Sequence, residues 1–266
     1  MHNHILHIDT IAQTSKLNTM NPGLKIGVGI LSLLLCVLSE SYLFHILIAV
    51  VMIGVVIKNT KLNINHYMRL LWVPSLFIIL SSIALLVQLS RVKLGFFDVS
   101  VAGWYLSITK DSLSSTITVI IRAYASITCL FMISLTTPIA DVIFVCRRIK
   151  IPEIMIELMY LIYRFIMILS DVHSKMTIAA DSRLGYMNLK NTYTSMKGIA
   201  SNLLSLAFKR ASTSFDAMES RGYIGKLNFY REEKPIQKKE LILTIIYLVV
   251  IGFIFLYERK SLWRVY

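Results

Sequence analysis

"IPEIMIELMYLIYRFIMILS", residues 151–170, is apolar enough to pass for a membrane span. Whether it crosses the bilayer decides on which side every later residue lies. Glu153, Glu157, Tyr160, Arg164, Asp171 and Lys175 recur at steps of three, four or seven. That is one polar stripe along a helix. Three ionised groups facing lipid would cost about 2.5 kcal/mol or more each near the bilayer centre. The pattern predicts a helix lying along the cytoplasmic interface, its polar stripe toward water or protein.

Charge points the same way. Residues 138–238 hold 15 of the 28 Lys and Arg. If 151–170 crossed, the basic stretches 138–150 and 171–238 would lie on opposite sides. If it lies flat, both are cytoplasmic, as the positive-inside rule requires. Lys58, Lys61 and Arg69 then fall inside as well. Arg259, Lys260 and Arg264 fall outside, a minor exception.

The rest of the composition is that of an integral membrane protein. Of 266 residues, 56% are hydrophobic and 16% charged, with mean hydropathy +0.65. Globular domains are about a quarter charged. The net charge of +13 is therefore assigned to cytoplasmic loops, not to a nucleic-acid face. Cys36, Cys129 and Cys146 are scattered and support neither a disulfide framework nor a zinc site. The first 23 residues are polar and do not read as a cleavable signal.

Five further stretches are apolar and long enough to span: about 24–39, 42–57, 69–89, 112–136 and 239–257. The first two are joined by Ser39-Glu40-Ser41, a tight helical hairpin. Pro74 in the third frees a backbone carbonyl, which neighbours in a membrane bundle can satisfy. Residues 90–111, with Gly95, Phe96, Phe97, Gly103, Trp104 and Tyr105, read as an external loop with interfacial aromatics. The expected fold is all-α: a polytopic helical membrane protein with about five spans and amphipathic cytoplasmic helices. Its parts are a four-span portion (1–137), a cytoplasmic or interfacial helical block (138–238), and a closing span with tail (239–266).

Inside the block, "DSRLG" (181–185) and "ESRG" (219–222) are near-copies, their arginines 38 positions apart. Val172, Met176, Ala179 or Ala180, Arg183 and Met187 share one helix face. Leu204, Ala207, Ala211, Ser214, Met218 and Arg221 share another. Gly185 and Gly222 follow the arginines and can take the left-handed conformation that stops a helix. Ala179, Ala180, Ala211, Ser212, Ser214 and Ala217 are small enough to let two helices cross closely. An arginine near a helix end also complements the macrodipole. Two arginines on matching stripes point further, to a docking surface whose planar forks pair with carboxylates.

These features resemble the transmembrane (T) component of energy-coupling factor (ECF) transporters, the EcfT/CbiQ family. There, two cytoplasmic coupling helices carry Ala/Ser-Arg-Gly motifs that dock into two ATPase subunits. "SRLG" and "SRG" stand in those places, the first with Leu184 inserted before the glycine. "IDTIAQTSKLNTMNPGLK" (8–25) is similar to the N-terminal segment of cobalt-type members. "LTTPIADVIFVCRRIKIP" (135–152) and "YRF" (163–165) are similar to the run before the coupling helices.

The resemblance implies a scaffold that binds two ATP-binding cassette ATPases and a separate membrane substrate-binding (S) subunit. It implies cobalt or nickel as the transported substrate, with vitamin-type members of the family as the alternative. It assigns ATPase coupling to Ser182, Arg183, Gly185, Ser220, Arg221 and Gly222. No catalytic residue, cofactor or metal ligand is assigned to this chain, and ATPase activity is expected in the partners.

Other readings are weaker. His2, His4 and His7 could bind a metal, but they sit on a polar terminus, and the family's metal site resembles one on the S subunit. Arg122 lies deep in a span with no evident acidic partner; helix packing explains it better than transport chemistry. His45 reads as a buried polar contact and His66 as a loop residue. "GYIGKL" (222–227) lacks the phosphate-loop spacing. No nucleophile–base pair or HExxH appears, so an intramembrane enzyme is disfavoured. A conventional importer permease usually carries one coupling helix, where this chain has two motifs. A secondary transporter would show broken helices and midplane ion pairs.

Overall fold

The computed structural model describes residues 4–60, 62–86, 88–90, 97–101, 104–225 and 234–262, with the backbone only at 4–7, 88–90, 97–101, 104–108, 111 and 259–262. They form two compact units: 9–138 with 234–266, and 1–8 with 139–233.

The first unit is a helical bundle. After α1 (His4–Thr14), of which residues from Asp9 on belong to this unit, and a short 3-10 turn (Lys16–Thr19) come α2 (Pro22–Leu38), α3 (Tyr42–Asn59) and α4 (Ile64–Leu86). Then follow α5 (Lys110–Thr136) and, after the second unit, α9 (Lys238–Leu262). Asn21 starts α2 by accepting the Gly23 amide, with Pro22 at the first helical position where its missing N–H costs nothing. Thr109 and Ser112 close a reciprocal capping box at the start of α5. α5 is the centre of the bundle and packs against α2, α3 and α4. The core is Cys36 of α2, Phe44, Ile48, Met52 and Val56 of α3, and Ala125, Cys129, Met132 and Leu135 of α5. Tyr67 of α4 meets Phe131 edge-on at 5.9 Å between ring centres. Gly29 allows α2 to approach α5: a Cβ there would lie 2.4 Å from Cγ1 of Ile133.

The outside of this bundle is as apolar as its inside. Trp72, Leu76, Phe77 and Leu80 of α4 are exposed, as are Leu243, Ile246, Val249 and Phe253 of α9. Patches of that size do not face water in a monomeric protein; the surrounding solvent is lipid. Tyr42–Asn59, Ile64–Leu86, Ser112–Thr136 and Lys238–Glu258 are long and apolar enough to cross a membrane. α2, with 17 residues, is shorter, about 25 Å against a hydrocarbon core of about 30 Å. α4 runs unbroken through Pro74.

Two polar side chains inside the bundle bind backbone. His45 is fully buried with Nε2 2.9 Å from the Cys36 carbonyl. Arg122 donates from Nη2 to the Ser39 carbonyl at 2.9 Å, at the C-terminal end of α2. Ser39 Oγ in turn donates to Glu258 of α9 at 3.5 Å. Arg122 is thus a packing residue that caps a helix end, its positive charge near the negative end of the α2 dipole. His66 lies in the first turn of α4, not in a loop, because the helix begins at Ile64.

The segment read as an external loop holds a small antiparallel sheet. β1 (Gln88–Ser90), β2 (Phe97–Val101) and β3 (Trp104–Ile108) stand in the order β1-β3-β2. Val101 pairs with Trp104 and Phe97 with Ile108. "FDVSV" and "WYLSI" are alternating β-branched and aromatic runs, the pattern of strands.

The second unit holds α6 (Ile139–Arg148), α7 (Glu153–Ser182) and α8 (Leu189–Glu219); α7 packs against both others. The interfacial run and the first motif helix, separate in the sequence reading, are one helix of 30 residues. No Gly or Pro lies between Pro152 and Gly185 to interrupt it. Its stripe is divided as polarity demands. Glu157 is buried and accepts a hydrogen bond from Tyr223 Oη at 2.9 Å. Asp171 and Lys175 are exposed and pair at 2.8 Å. On the other side, Ile154, Met155, Leu158, Ile162 and Ile166 form an exposed apolar row.

Candidate functional site

The two motifs end α7 and α8 with the same hydrogen-bond pattern. In the first, the amide of Arg183 reaches the Ala180 carbonyl (3.1 Å), that of Leu184 reaches Asp181 (2.9 Å), and that of Gly185 returns to Ala180 (2.8 Å). In the second, Arg221 reaches Met218 (3.1 Å), Gly222 reaches Glu219 (2.9 Å), and Tyr223 returns to Met218 (3.1 Å). Each is a Schellman stop, which occupies carbonyls that the helix end leaves open. Each serine adds one more bond: Ser182 Oγ to Ile178 O at 2.9 Å, and Ser220 Oγ to Ala217 O at 3.1 Å.

In this register Asp181 matches Glu219, Ser182 matches Ser220, and Arg183 matches Arg221. The glycines do not match. The left-handed position is Gly222 in the second motif (φ +78°) and Leu184 in the first (φ +58°). This corrects the expectation that Gly185 stops α7. A leucine there carries a steric cost that glycine avoids.

Gly185 serves another need. A Cβ on it would lie 2.5 Å from Ser195 Oγ and 2.8 Å from the Ala180 carbonyl. Its bare backbone lets the first turns of α8 come close, and Ser195 Oγ donates to its carbonyl at 3.0 Å. Gly222 has open space around it. One glycine supplies clearance and the other supplies conformation.

Arg183 and Arg221 are exposed, and neither guanidinium has a hydrogen-bond or ion-pair partner among the described residues. Both stand where the helix dipole favours a cation, worth about 0.3–1 kcal/mol. They remain free to bind an anion. Of the apolar stripes behind them, Val172, Met176, Ala180, Ala207, Ser214 and Met218 are half-buried, while Ala179, Leu204 and Ala211 are exposed. The sequence reading named Leu204 but missed the larger row it belongs to. Leu189, Tyr193, Met196, Phe208 and Phe215 stand with Leu204 at helical spacing along α8, and all are exposed. The signal for it was present as steps of three, four, seven and eight. Unpartnered rows of this kind mark a protein or membrane contact.

Tyr223, the residue after the second stop, ties that stop to the buried Glu157 at the other end of α7's polar stripe. The hydrogen bond to the carboxylate, then burial and the carboxylate's charge, push its phenol above the ordinary tyrosine value. Neither residue had been singled out as a pair, since 66 positions separate them. His2 lies outside the described residues, as do the side chains of His4 and His7. Among the described residues, no group of three His, Cys, Asp or Glu could hold a metal.

The family model for CbiQ, described as cobalt transport protein, matches residues 13–231. An uncharacterized protein of Methanocaldococcus jannaschii is 28% identical over 93% of this chain and 92% of its own length. A putative fused cobalt transport protein, CbiMQ, of Methanocorpusculum labreanum is 27% identical over 93% of this chain and 41% of its own. The cobalt transport protein CbiQ of Rhodobacter capsulatus is 27% identical over 51% of this chain and 59% of its own. With its apolar, lipid-facing helices, the chain belongs to the CbiQ cobalt transport protein family: a multi-pass membrane protein that is a component of a transporter and not itself an enzyme.

Proposed function

We propose that the chain is the T component of an ECF-type importer and transmits ATP-driven motion from two ATPases to a separate S subunit that carries cobalt or nickel. The observation that carries this reading is the pair of equivalent helix stops. Each holds an exposed arginine, without a partner among the described residues, at the same position beside apolar rows. The fork of Arg183 enters a groove on one ATPase and pairs with a carboxylate; Arg221 does the same on the second copy. Ser182, Ser220 and Gly222 shape the stops that present the arginines, and Gly185 holds the first stop against α8.

For ATP binding to move this chain, the arginines and stripes must hold the ATPases differently in the two nucleotide states. The names of the relatives support the metal as substrate. The exposed row from Ile154 to Ile166, with Glu157 turned to Tyr223, supports α7 lying in the cytoplasmic interface. On this reading residues 138–238 form the coupling block, between a four-span portion (1–137) and a closing span (239–266).

Purification of the chain from its native membrane, followed by identification of bound proteins and cobalt uptake in vesicles, tests the reading. Two copies of an ATP-binding cassette protein, one further membrane protein and ATP-dependent metal uptake are expected. A chain that co-purifies with no ATPase sinks the proposal. Uptake of a vitamin without metal would move it to the vitamin-type members of the family.

A further inference from the structure

The segment that leads into α2, together with its first turn, holds the two places where the chain leaves the bundle and returns to it. The bundle unit ends at Pro138 and resumes at Lys234. Lys25 is 1% exposed, and its Nζ donates to the Leu17 carbonyl at 3.0 Å and to the Thr136 carbonyl at 3.1 Å. Thr136 is the last residue of α5, two residues before the exit. Asn21, also buried, donates from Nδ2 to the Lys234 carbonyl at 2.8 Å. Lys234 Nζ donates back to Asn18 Oδ1 at 2.9 Å. Exit and return are therefore fastened to one short stretch, residues 17–25.

The chemistry suits a permanent fastening. Thr136 and Leu17 present carbonyls at the ends of helical turns, where partial negative charge gathers. An ammonium there satisfies them, and a buried cation without such acceptors would not be tolerated. Asn21 does double duty: its Oδ1 starts α2 while its Nδ2 holds Lys234.

We propose that Lys25, with Asn18 and Asn21, is the pivot of coupling: a fixed clasp that holds both chain crossings at one point, so that motion of the helical block turns the bundle instead of stretching the connections. Lys25 is a positioning residue on this view and touches no substrate. The proposal rests on the ECF reading and goes beyond it by naming the fulcrum.

The test uses the whole transporter in vesicles, with cobalt uptake and ATP hydrolysis measured together. Lys25→Met is expected to keep both ATPases bound and hydrolysing, while uptake per ATP falls about tenfold, the size of effect typical of residues on a coupling route. Lys25→Arg should restore part of the loss, which a residue needed only for folding would not show as a change in this ratio. A second arm fixes the clasp shut. Asn18→Cys with Lys234→Cys, in a Cys146→Ser background, is joined by a short bis-methanethiosulfonate, each end of which forms a disulfide with one cysteine and releases methanesulfinate. Uptake should survive the cross-link if the clasp never opens, and this arm decides the matter if Lys25→Met fails to accumulate. Wild-type coupling in Lys25→Met, or abolition of uptake by the cross-link, overturns the pivot. Absence of any ATPase from the wild-type complex would instead overturn the ECF reading.

Discussion

Tyr223 Oη donates to Glu157 Oε2 at 2.9 Å, joining the residue after the second helix stop to the first turns of α7. It explains why an apolar run carries a buried glutamate. Removing the hydroxyl with Tyr223→Phe should loosen the end of α8. Amide exchange over residues 216–223 should rise severalfold, while exchange in α5 stays unchanged. Equal exchange in both proteins would show that the tether does not hold this end.

The same pair sets a pH expectation. Its phenol is held above the ordinary value, chiefly by the hydrogen bond to Glu157. An acid whose folded pKa is raised stabilises the fold while protonated. That contribution is complete below the unfolded value, about 10 for tyrosine, and fades only as pH rises through the folded one. Protection at 216–223, corrected for intrinsic exchange, should therefore be flat from about pH 6 to 9 on account of Tyr223 and fall only beyond about pH 10.

Arg183→Ala and Arg221→Ala should each weaken ATPase docking. Truncating one member of a hydrogen-bonded charge pair that becomes buried costs about 2–5 kcal/mol. Lysine should rescue only in part, because an ammonium lacks the bidentate fork. The double variant should be worse than either single one, and folding should be unaffected because both side chains are exposed. Co-purification at equal membrane abundance is the measurement. Wild-type association of the double variant would reduce both arginines to helix-end charges.

The two stops should respond oppositely to glycine chemistry. Leu184→Gly relieves a left-handed leucine and should stabilise by up to about 1 kcal/mol. Gly222→Ala introduces the same strain and should cost about 1 kcal/mol. Gly185→Ala should cost more, about 1–3 kcal/mol, because its Cβ meets backbone as well as Ser195. Thermal unfolding in detergent ranks the three. A harmless Gly185→Ala would mean that the approach of α8 is not tight.

Topology can be read from native thiols. Cys36 and Cys129 are buried, and Cys146 is partly accessible. A membrane-impermeant maleimide should label Cys146 in inverted vesicles and not in intact cells, and a tag after Tyr266 should be reached from outside. A Tyr266 tag found inside would mean that α7 crosses, or that one of the five spans does not.

The long apolar helices were legible because lipid selects for such runs; the predicted ends lie within a few residues of α3, α4, α5 and α9, and of the shorter α2. The sheet was equally written in the alternation of "FDVSV" and "WYLSI", but a search for spans passes over it. The burial and contacts of Lys25 were not legible. A lone lysine at the start of a span looks like any positive-inside charge, and only folding brings the Leu17 and Thr136 carbonyls to it. Glu157 was visible as polar, but its partner was not, since Tyr223 lies far along the chain. The left-handed Leu184 ran against propensity: the glycine one residue later was the natural choice, and tertiary packing had already claimed it.

That displaced glycine makes the two motifs unequal in a way their spelling conceals. Lined up by glycine, the arginines would fall one residue out of step, about 100° around a helix; lined up by Ser-Arg, they coincide. The second stop receives no helix at its glycine, and the tyrosine that follows holds it to Glu157. The first is a joint that must receive the next helix as well as end its own, and it yields its glycine to the incoming chain while leucine takes the turn. Deleting Leu184 to make the spellings agree would not produce another copy of the second stop. It would withdraw the bare backbone from Ser195 and dismantle the joint.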